Sequence, residues 1–256
     1  DRRIKMQTRD TIKRVTLNNK RYYQVNSEEH GQLGPFPSVT TVLGSTADTT
    51  GIDKWKERVG EAEATRVSQN ALDRGNIMHR LCEIYLNLPG SMTMPKRLEE
   101  TLALTRLDEE IDKQDNRAKI VGGMMFYNYI RSGSFDRIKR TVMQEEFLWT
   151  HRNGGYAGTV DNVSELIDGT YAVIDFKTAR KPKKEEWIED YKLQVAAYAV
   201  AVWDRHKIKI SQAQIWISNE QTMDPQYFEM NTEDLKLYYN KFLERLDKFY
   251  EMFPVN

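Results

Sequence analysis

The order of strand-like and helix-like patterns in the second half of the chain constrains the fold more than any other feature. Residues 140–149, 156–166 and 171–177 each have the composition of a β-strand, with turns at 153–155 and 168–169 between them. An amphipathic helix over residues 185–205, a strand over 207–218 and a helix over 231–252 follow. This order predicts an α/β protein with a mixed central β-sheet.

The first half of the chain is mainly helical in pattern. Residues 16–25 predict a hairpin around Asn18-Asn19, and Ser38 is placed to cap a helix that begins at Val39. Residues 60–88 and 95–133 predict further helices. No linker separates the halves, so we expect one domain over 1–256, with a helical cover at 38–133 and an α/β core at 138–252.

Cysteine usage and hydropathy exclude several classes of protein. Cys82 is the single cysteine, which excludes an internal disulfide and an iron–sulfur cluster held by four cysteines. No apolar run approaches the roughly 20 residues that span a bilayer, and residues 1–5 lack the apolar core of a secretory signal. We therefore expect a soluble, intracellular protein without a membrane partner.

Charge is informative only locally, because 38 basic residues balance 38 acidic ones. Residues 1–21 contain eight Lys or Arg and two Asp, and residues 177–184 contain five basic positions in eight. Basic segments of this density are typical of contacts with a phosphate backbone. A solvated tail and a solvated loop are the alternative interpretation.

Two acids and a lysine on neighbouring strands form the candidate site. Asp175 and Lys177 are two residues apart on one strand and so project from the same face. A three-residue loop at 167–169 would set Asp161 opposite Asp175, with Val163 opposite Val173, whereas a two-residue turn would set Asp161 on the other face. We predict the three-residue loop. A salt bridge across an exposed sheet face is the alternative explanation for the same triplet.

Two carboxylates at one position repel each other unless a positive charge lies between them. Carboxylate oxygens are the ligands that Mg²⁺ and Mn²⁺ prefer, and such a metal can activate water and stabilise charge on a phosphoryl oxygen. Gly75 and His79 share a helix face, as do Gln194 and Tyr198. His79 is then a candidate metal ligand, although a core histidine and an ordinary polar helix edge remain open alternatives.

Four motifs occur in order along the chain: Gly-x-x-x-His, Gly-x-x-Asp, Asp-x-Lys and Gln-x-x-x-Tyr. They stand at Gly75/His79, Gly158/Asp161, Asp175/Lys177 and Gln194/Tyr198. Together they resemble the PD-(D/E)XK nuclease superfamily, specifically its RecB-like branch. Residues 37–40 and 175–182 are similar to the mitochondrial genome maintenance exonucleases and their bacteriophage relatives, and the resemblance extends over residues 36–205.

The resemblance implies a restriction-endonuclease-like core, a mixed sheet flanked by helices, with a helical N-terminal half. It implies hydrolysis of phosphodiester bonds in DNA with Mg²⁺ or Mn²⁺. Lys177 is then the catalytic lysine, Gln194 positions it or the scissile phosphate, and Glu146 matches an acidic position of some relatives. The implied metal ligands are His79, Asp161, Asp175 and the carbonyl of Phe176.

The resemblance also implies a substrate, since these exonucleases digest single-stranded DNA from free ends beneath a helical cover. Ser38 and Thr40 are candidates to donate to a phosphate from a helix start, although a plain cap at Ser38 is equally consistent. The other candidate DNA-binding residues are Arg74, Arg80, Lys181 and Tyr198. The absence of a visible targeting peptide favours a phage-like protein in a bacterial cytoplasm over one in the mitochondrial matrix.

Three other functions remain open on sequence grounds. The same metal centre would serve a structure-specific or double-strand DNA endonuclease. A DNA-binding module that has lost catalysis is a second alternative, which the intact Asp161, Asp175 and Lys177 disfavour. A small-molecule hydrolase with a carboxylate–histidine metal site lacks further ligands in motif context.

Overall fold

The computed structural model describes residues 10–254. Residues 1–9, which carry part of the basic N-terminal segment, and residues 255–256 lie outside the described part of the chain. Among the described residues, no helix has the length and apolar character needed to cross a membrane.

The described chain begins with a small antiparallel sheet of three strands, β1 (Thr11–Leu17), β2 (Lys20–Ser27) and β3 (Gly31–Pro37). The predicted hairpin is confirmed: Leu17 pairs with Lys20, and both residues of the Asn18-Asn19 turn have positive φ, as a two-residue hairpin loop requires. The third strand was not predicted. It brings Phe36 against Trp149 of the main sheet.

Six helices follow, and the predicted long helix over 95–133 is wrong in its continuity. The helices are α1 (Val39–Thr46), α2 (Thr50–Val59), α3 (Glu61–Asn87), α4 (Met94–Thr105), α5 (Glu109–Asp112) and α6 (Asn116–Arg131). The Asp108 carboxylate accepts from backbone N–H groups of α5, and Asp115 does the same at α6, so each starts a new helix.

The central sheet has the strand order β4-β5-β6-β7-β8. Its strands are β4 (Ile138–Thr150), β5 (Tyr156–Leu166), β6 (Tyr171–Ala179), β7 (Gln212–Asn219) and β8 (Gln226–Met230), with α7 (Glu189–His206) between β6 and β7 and α8 (Thr232–Met252) at the end. The β6–β7 pair is parallel and the other pairs are antiparallel, so the predicted mixed α/β fold is confirmed. Strand β8 was missed.

Helices cover both faces of this sheet. On one face, α3 and α6 bury Met78 and Phe126 against Phe176 and Trp216. On the other face, residues of α1, α7 and α8 form a second core with apolar residues of β4 to β8. The charged residues of β5 and β6 therefore lie among buried elements, at the place where α3 and α7 approach the sheet.

Candidate active site

The pairing of β5 with β6 has the predicted register. Val163 pairs with Val173 and Asn162 with Ile174, around a three-residue loop at 167–169. The next position along the same register sets Asp161 opposite Asp175. The ladder ends there because an Asp161 carboxylate oxygen, Oδ2, accepts the Phe176 N–H at 2.9 Å in place of a backbone carbonyl.

Asp175 and Lys177 form a buried ion pair. The Lys177 Nζ lies 2.7 Å from Asp175 Oδ1 and 2.6 Å from Oδ2, and Asp175 is only 1% exposed. The approach to Oδ2 lacks hydrogen-bonding geometry, so this buried oxygen has no hydrogen-bond partner. An exposed salt bridge on a sheet face is therefore the wrong description of the triplet.

The electrostatics of this pair favour a further positive charge. Burial raises the pKa of Asp175, and the neighbouring Asp161 carboxylate raises it further, against the opposing effect of Lys177. Burial lowers the pKa of Lys177, but the two carboxylates outweigh burial and the net shift is upward. One ammonium group thus faces two carboxylates, which leaves net negative charge at a buried position.

His79 reaches this position from α3. Its Nδ1 lies 3.5 Å from Asp161 Oδ2, and its ring packs edge-on against Phe176. A Cβ at Gly75, one turn earlier, would lie 3.6 Å from the Thr178 hydroxyl, which is ordinary contact. The protein itself therefore does not require glycine at this position, which lines an open groove.

Glu145 is a site residue that the sequence analysis missed. Gln144 pairs with Asn162 and Glu146 with Val160, so Glu145 lies opposite Asp161. Ligand atoms of His79, Glu145 and Asp161 all lie within 4.8 Å of one another. The predicted additional acid, Glu146, is not in this group, because it stands one position further along β4, opposite the core residue Val160.

The Glu145 carboxyl is held close to other acids. Its backbone has a φ of 47°, which few non-glycine residues adopt. The side chain retains solvent exposure, but desolvation of its carboxyl, followed by the negative charges of Asp161 and Glu83, raises its pKa to about 8. The only sequence signal for this residue is the Glu145-Glu146 doublet, which does not say which acid faces Asp161.

Helix α7 packs on the sheet face that carries Asp175 and Lys177. Tyr198 is 3% exposed, and the Gln194 side-chain amide donates a hydrogen bond to its hydroxyl. A Cβ at Gly158 would lie 2.7 Å from that hydroxyl, so the glycine lets α7 approach β5. Tyr198 is thus too buried for the predicted contact with DNA, whereas the ring of Tyr191, which was not predicted, lies 5.1 Å from Lys177 Nζ.

Two arginines predicted to bind DNA are already paired with acids. Arg74 forms a 2.7 Å ion pair with Glu220 and its side chain is 13% exposed. Arg80 contacts Asp108 at 2.7 Å and Glu83 at 2.6 Å. Both guanidinium groups therefore hold α3 against its neighbours. Neither is free to bind a phosphate in this arrangement.

The two predicted hydroxyl contacts differ in exposure. Ser38 is 1% exposed and its hydroxyl accepts from Thr41 N–H at 3.0 Å, so it is a helix cap and does not reach a phosphate. Thr40 is exposed and its hydroxyl accepts from the Arg21 guanidinium. Lys181 is exposed on the loop after β6. Thr40 and Lys181 therefore remain candidates.

A groove of about 860 Å³ leads to the site between α3, α5 and β4. His79 and Glu145 line it, together with Gly75, Arg80 and Glu83. The His79 imidazole and the Glu145 and Asp161 carboxylates form a donor set that suits a divalent cation, and Asp175 lies opposite Asp161 with its carboxylate bound to Lys177. The backbone carbonyl of Phe176 remains a predicted ligand of the metal ion.

Two solved structures are similar to parts of the chain. A structure described as a "Putative exonuclease" from Eubacterium rectale is 12% identical, with a TM-score of 0.41, over 60% of this chain and 61% of that one. The structure of SSO0001 is 13% identical, with a TM-score of 0.36, over 69% of this chain and 85% of that one. The chain thus spans less than two thirds of the first structure. No curated protein matches the chain significantly.

A family model matches residues 54–252, most of the chain and all of the residues that form the site. The matched span contains the helix with His79, the strands with Glu145, Asp161, Asp175 and Lys177, and the supporting helix α7. The chain belongs to the PD-(D/E)XK nuclease superfamily.

Proposed function

We propose that the protein is a metal-dependent DNA exonuclease of the RecB-like branch, which hydrolyses phosphodiester bonds of single-stranded DNA from free ends. The observation that carries this proposal is the buried Asp175–Lys177 pair beside the His79, Glu145 and Asp161 group. Such a group at the end of a groove suits phosphodiester hydrolysis, because the superfamily's chemistry needs carboxylates and a lysine together.

His79, Glu145, Asp161 and Asp175 would hold the metal, with Mg²⁺ or Mn²⁺ as the expected ion. When bound, the ion lowers the pKa of a water molecule and stabilises negative charge on a phosphoryl oxygen. Lys177 is held in place by Asp175 and beside Tyr191, so its ammonium is positioned to contact the scissile phosphate or the attacking water. Gln194 is a positioning residue. It holds the Tyr198 hydroxyl, which packs against Gly158 of β5.

The proposed preference for single strands rests on the arrangement of helices beside the groove. Residues of α3 and α5 line most of the groove, and β4 contributes Glu145. We propose that the helices of residues 38–133 act as a cover and those of 138–252 as the catalytic core of one nuclease domain. With the helices placed as a cover, the groove would admit an unpaired strand from its end more readily than a duplex or a closed circle.

The test is digestion of end-labelled linear and circular single-stranded DNA, with Mg²⁺ and with EDTA. The wild type should degrade the linear strand only with metal, and Lys177→Ala should abolish the activity. Lys139→Ala is the matched control, since Lys139 is a paired lysine of the same sheet, away from the site. Cutting of the circle would make the protein an endonuclease, whereas binding without cleavage would make it a DNA-binding module. Equal activity in Lys177→Ala would show that the site is elsewhere.

A further inference from the structure

The loop between β6 and α7 presents a large aromatic ring to solvent. Trp187 ends a short 3₁₀ turn, Glu185–Trp187, and is 48% exposed. The ammonium groups of Lys181 and Lys184 lie 5.9 Å and 5.2 Å from its ring centroid. Both ammonium groups lie over the ring at distances near the outer limit of a cation–π contact, so these contacts are weak.

This loop is held in a fixed position despite its exposure. The Gln226 side chain of β8 accepts from the Lys183 N–H at 2.7 Å and donates to the Lys183 carbonyl at 2.9 Å. Lys192 of α7 pairs with Glu185 at 2.6 Å. Trp187 therefore stands on a backbone that is fixed on both sides, and a ligand that contacts it need not order the loop.

The loop begins and ends at the active site. It starts just after Lys177 on β6 and returns at Tyr191, whose ring lies 5.1 Å from the Lys177 ammonium. Tyr191 is the fourth residue after Trp187, so their Cα atoms are at most about 14 Å apart. A strand with its scissile phosphate at Lys177 would place a base only a few nucleotides away within reach of Trp187.

The charge of the loop suits a polyanion. Four basic residues stand at 180, 181, 183 and 184, against two acids at 185 and 186. Glu185 pairs with Lys192 of α7, and Glu186 lies 3.7 Å from the Lys184 ammonium, an exposed pair that a phosphate can displace. Lys181 is exposed and forms no salt bridge within residues 10–254, so its ammonium is available to a phosphate.

We propose that Trp187 is a base-stacking platform for single-stranded DNA, with Lys181 and Lys184 binding the phosphates on either side of the stacked base. An exposed ring beside two cations matches the alternation of base and phosphate along an unpaired strand. A duplex does not offer a base face for such stacking, so the platform selects single strands. This inference rests on the proposed nuclease function and names the residue that gives it strand preference.

The test is binding of labelled oligonucleotides by fluorescence anisotropy in the Lys177→Ala background, where the DNA stays intact. Trp187→Ala should raise the Kd for a single strand by at least about 5-fold, the smaller end of a lost base stack. Trp187→Phe should recover most of the affinity, because a smaller ring still stacks. The matched control is Trp203→Ala. Trp203 is also exposed (45%) beside a lysine, but it lies about 21 Å along α7 from the first residue of that helix, Glu189.

A second probe changes the DNA as well as the protein. An oligonucleotide with abasic sites near its end should bind the Trp187-containing protein more weakly than the intact strand, and Trp187→Ala should remove this difference. Equal affinities for Trp187→Ala and Trp203→Ala, or an equal loss for single strands and a blunt duplex, would overturn the platform. Tighter Trp187-dependent binding of RNA would overturn the assignment to DNA.

Different results would refute the nuclease function and the Trp187 platform. If the wild type shows no metal-dependent cleavage of any DNA, the nuclease function fails and the platform fails with it. If the wild type cleaves single strands and Trp187→Ala cleaves them with unchanged KM, the nuclease function stands and only the platform is refuted.

Discussion

Two adjacent glycines in α6 allow a paired test of how that helix packs on α3. A Cβ at Gly122 would lie 2.7 Å from the Arg74 carbonyl oxygen and 2.7 Å from the Ile77 Cβ, whereas a Cβ at Gly123 would meet nothing within 4 Å. Ile77 is 2% exposed and the Arg74 oxygen belongs to the backbone, so neither atom can move aside cheaply. The same substitution should therefore have opposite effects at the two positions.

Gly123→Ala should stabilise the protein by about 0.5–1 kcal/mol, because alanine is the better helix former. Gly122→Ala gains the same helix propensity but overpacks the interface at a cost of about 2–3 kcal/mol, which leaves a net loss of about 1–2 kcal/mol. For a chain of this size, 1 kcal/mol corresponds to about 2–4 °C in Tm. We expect Tm to rise by about 1–4 °C for Gly123→Ala and to fall by about 2–8 °C for Gly122→Ala.

Thermal denaturation followed by circular dichroism measures both shifts, and nuclease activity adds a second readout. Helix α3 carries His79 two residues after Ile77, so displacement of α3 should also lower the activity of Gly122→Ala at a temperature where it is fully folded. Gly123→Ala should keep wild-type activity. A Gly122→Ala variant as stable as Gly123→Ala would refute the close packing of α3 on α6.

Three further predictions concern the site and its supports. Glu145→Gln should weaken Mg²⁺ binding at least about 10-fold in titration calorimetry, while Glu146→Gln should leave it unchanged; the reverse order would return Glu146 to the site. Hydrogen bonds from Arg80 and from helix N–H groups outweigh burial and lower the pKa of Asp108, so its charge should stabilise the fold by up to about 1 kcal/mol above about pH 4. Asp108→Asn should therefore lower Tm at pH 7, and the difference in Tm between variant and wild type should disappear as the pH falls below about 4. A difference in Tm that does not change with pH would contradict this. Gly158→Ala should lower kcat and Tm together, because its Cβ would overlap the tyrosine hydroxyl of α7, and an unchanged kcat would show that this contact does not position β5.

Local signals were sufficient for much of the secondary structure. The Asn18-Asn19 turn, the Ser38 cap and the periodicity of α3 each involve residues within one or two turns of the chain. The β5–β6 register needed a chemical argument as well, because a two-residue and a three-residue loop both fit Asp168-Gly169 and only the longer one sets Asp161 opposite Asp175. The breaks between α4, α5 and α6 were not predicted. In a polar helical pattern, the capping residues Asp108 and Asp115 cannot be distinguished from other acidic residues on a helix surface.

The sequence by itself determined which residues are available for the site: Asp161, Asp175 and Lys177 on adjoining strands, because alternation along a strand is a local property. Only the tertiary structure decided that Glu145 joins His79 there. Two bulges in β4 advance its pairing with β5 by two residues, and no local pattern reveals a bulge. Long-range packing likewise decided which charged side chains are free, since the partners of Arg74 and Arg80 are distant in sequence and meet them only when the helices pack.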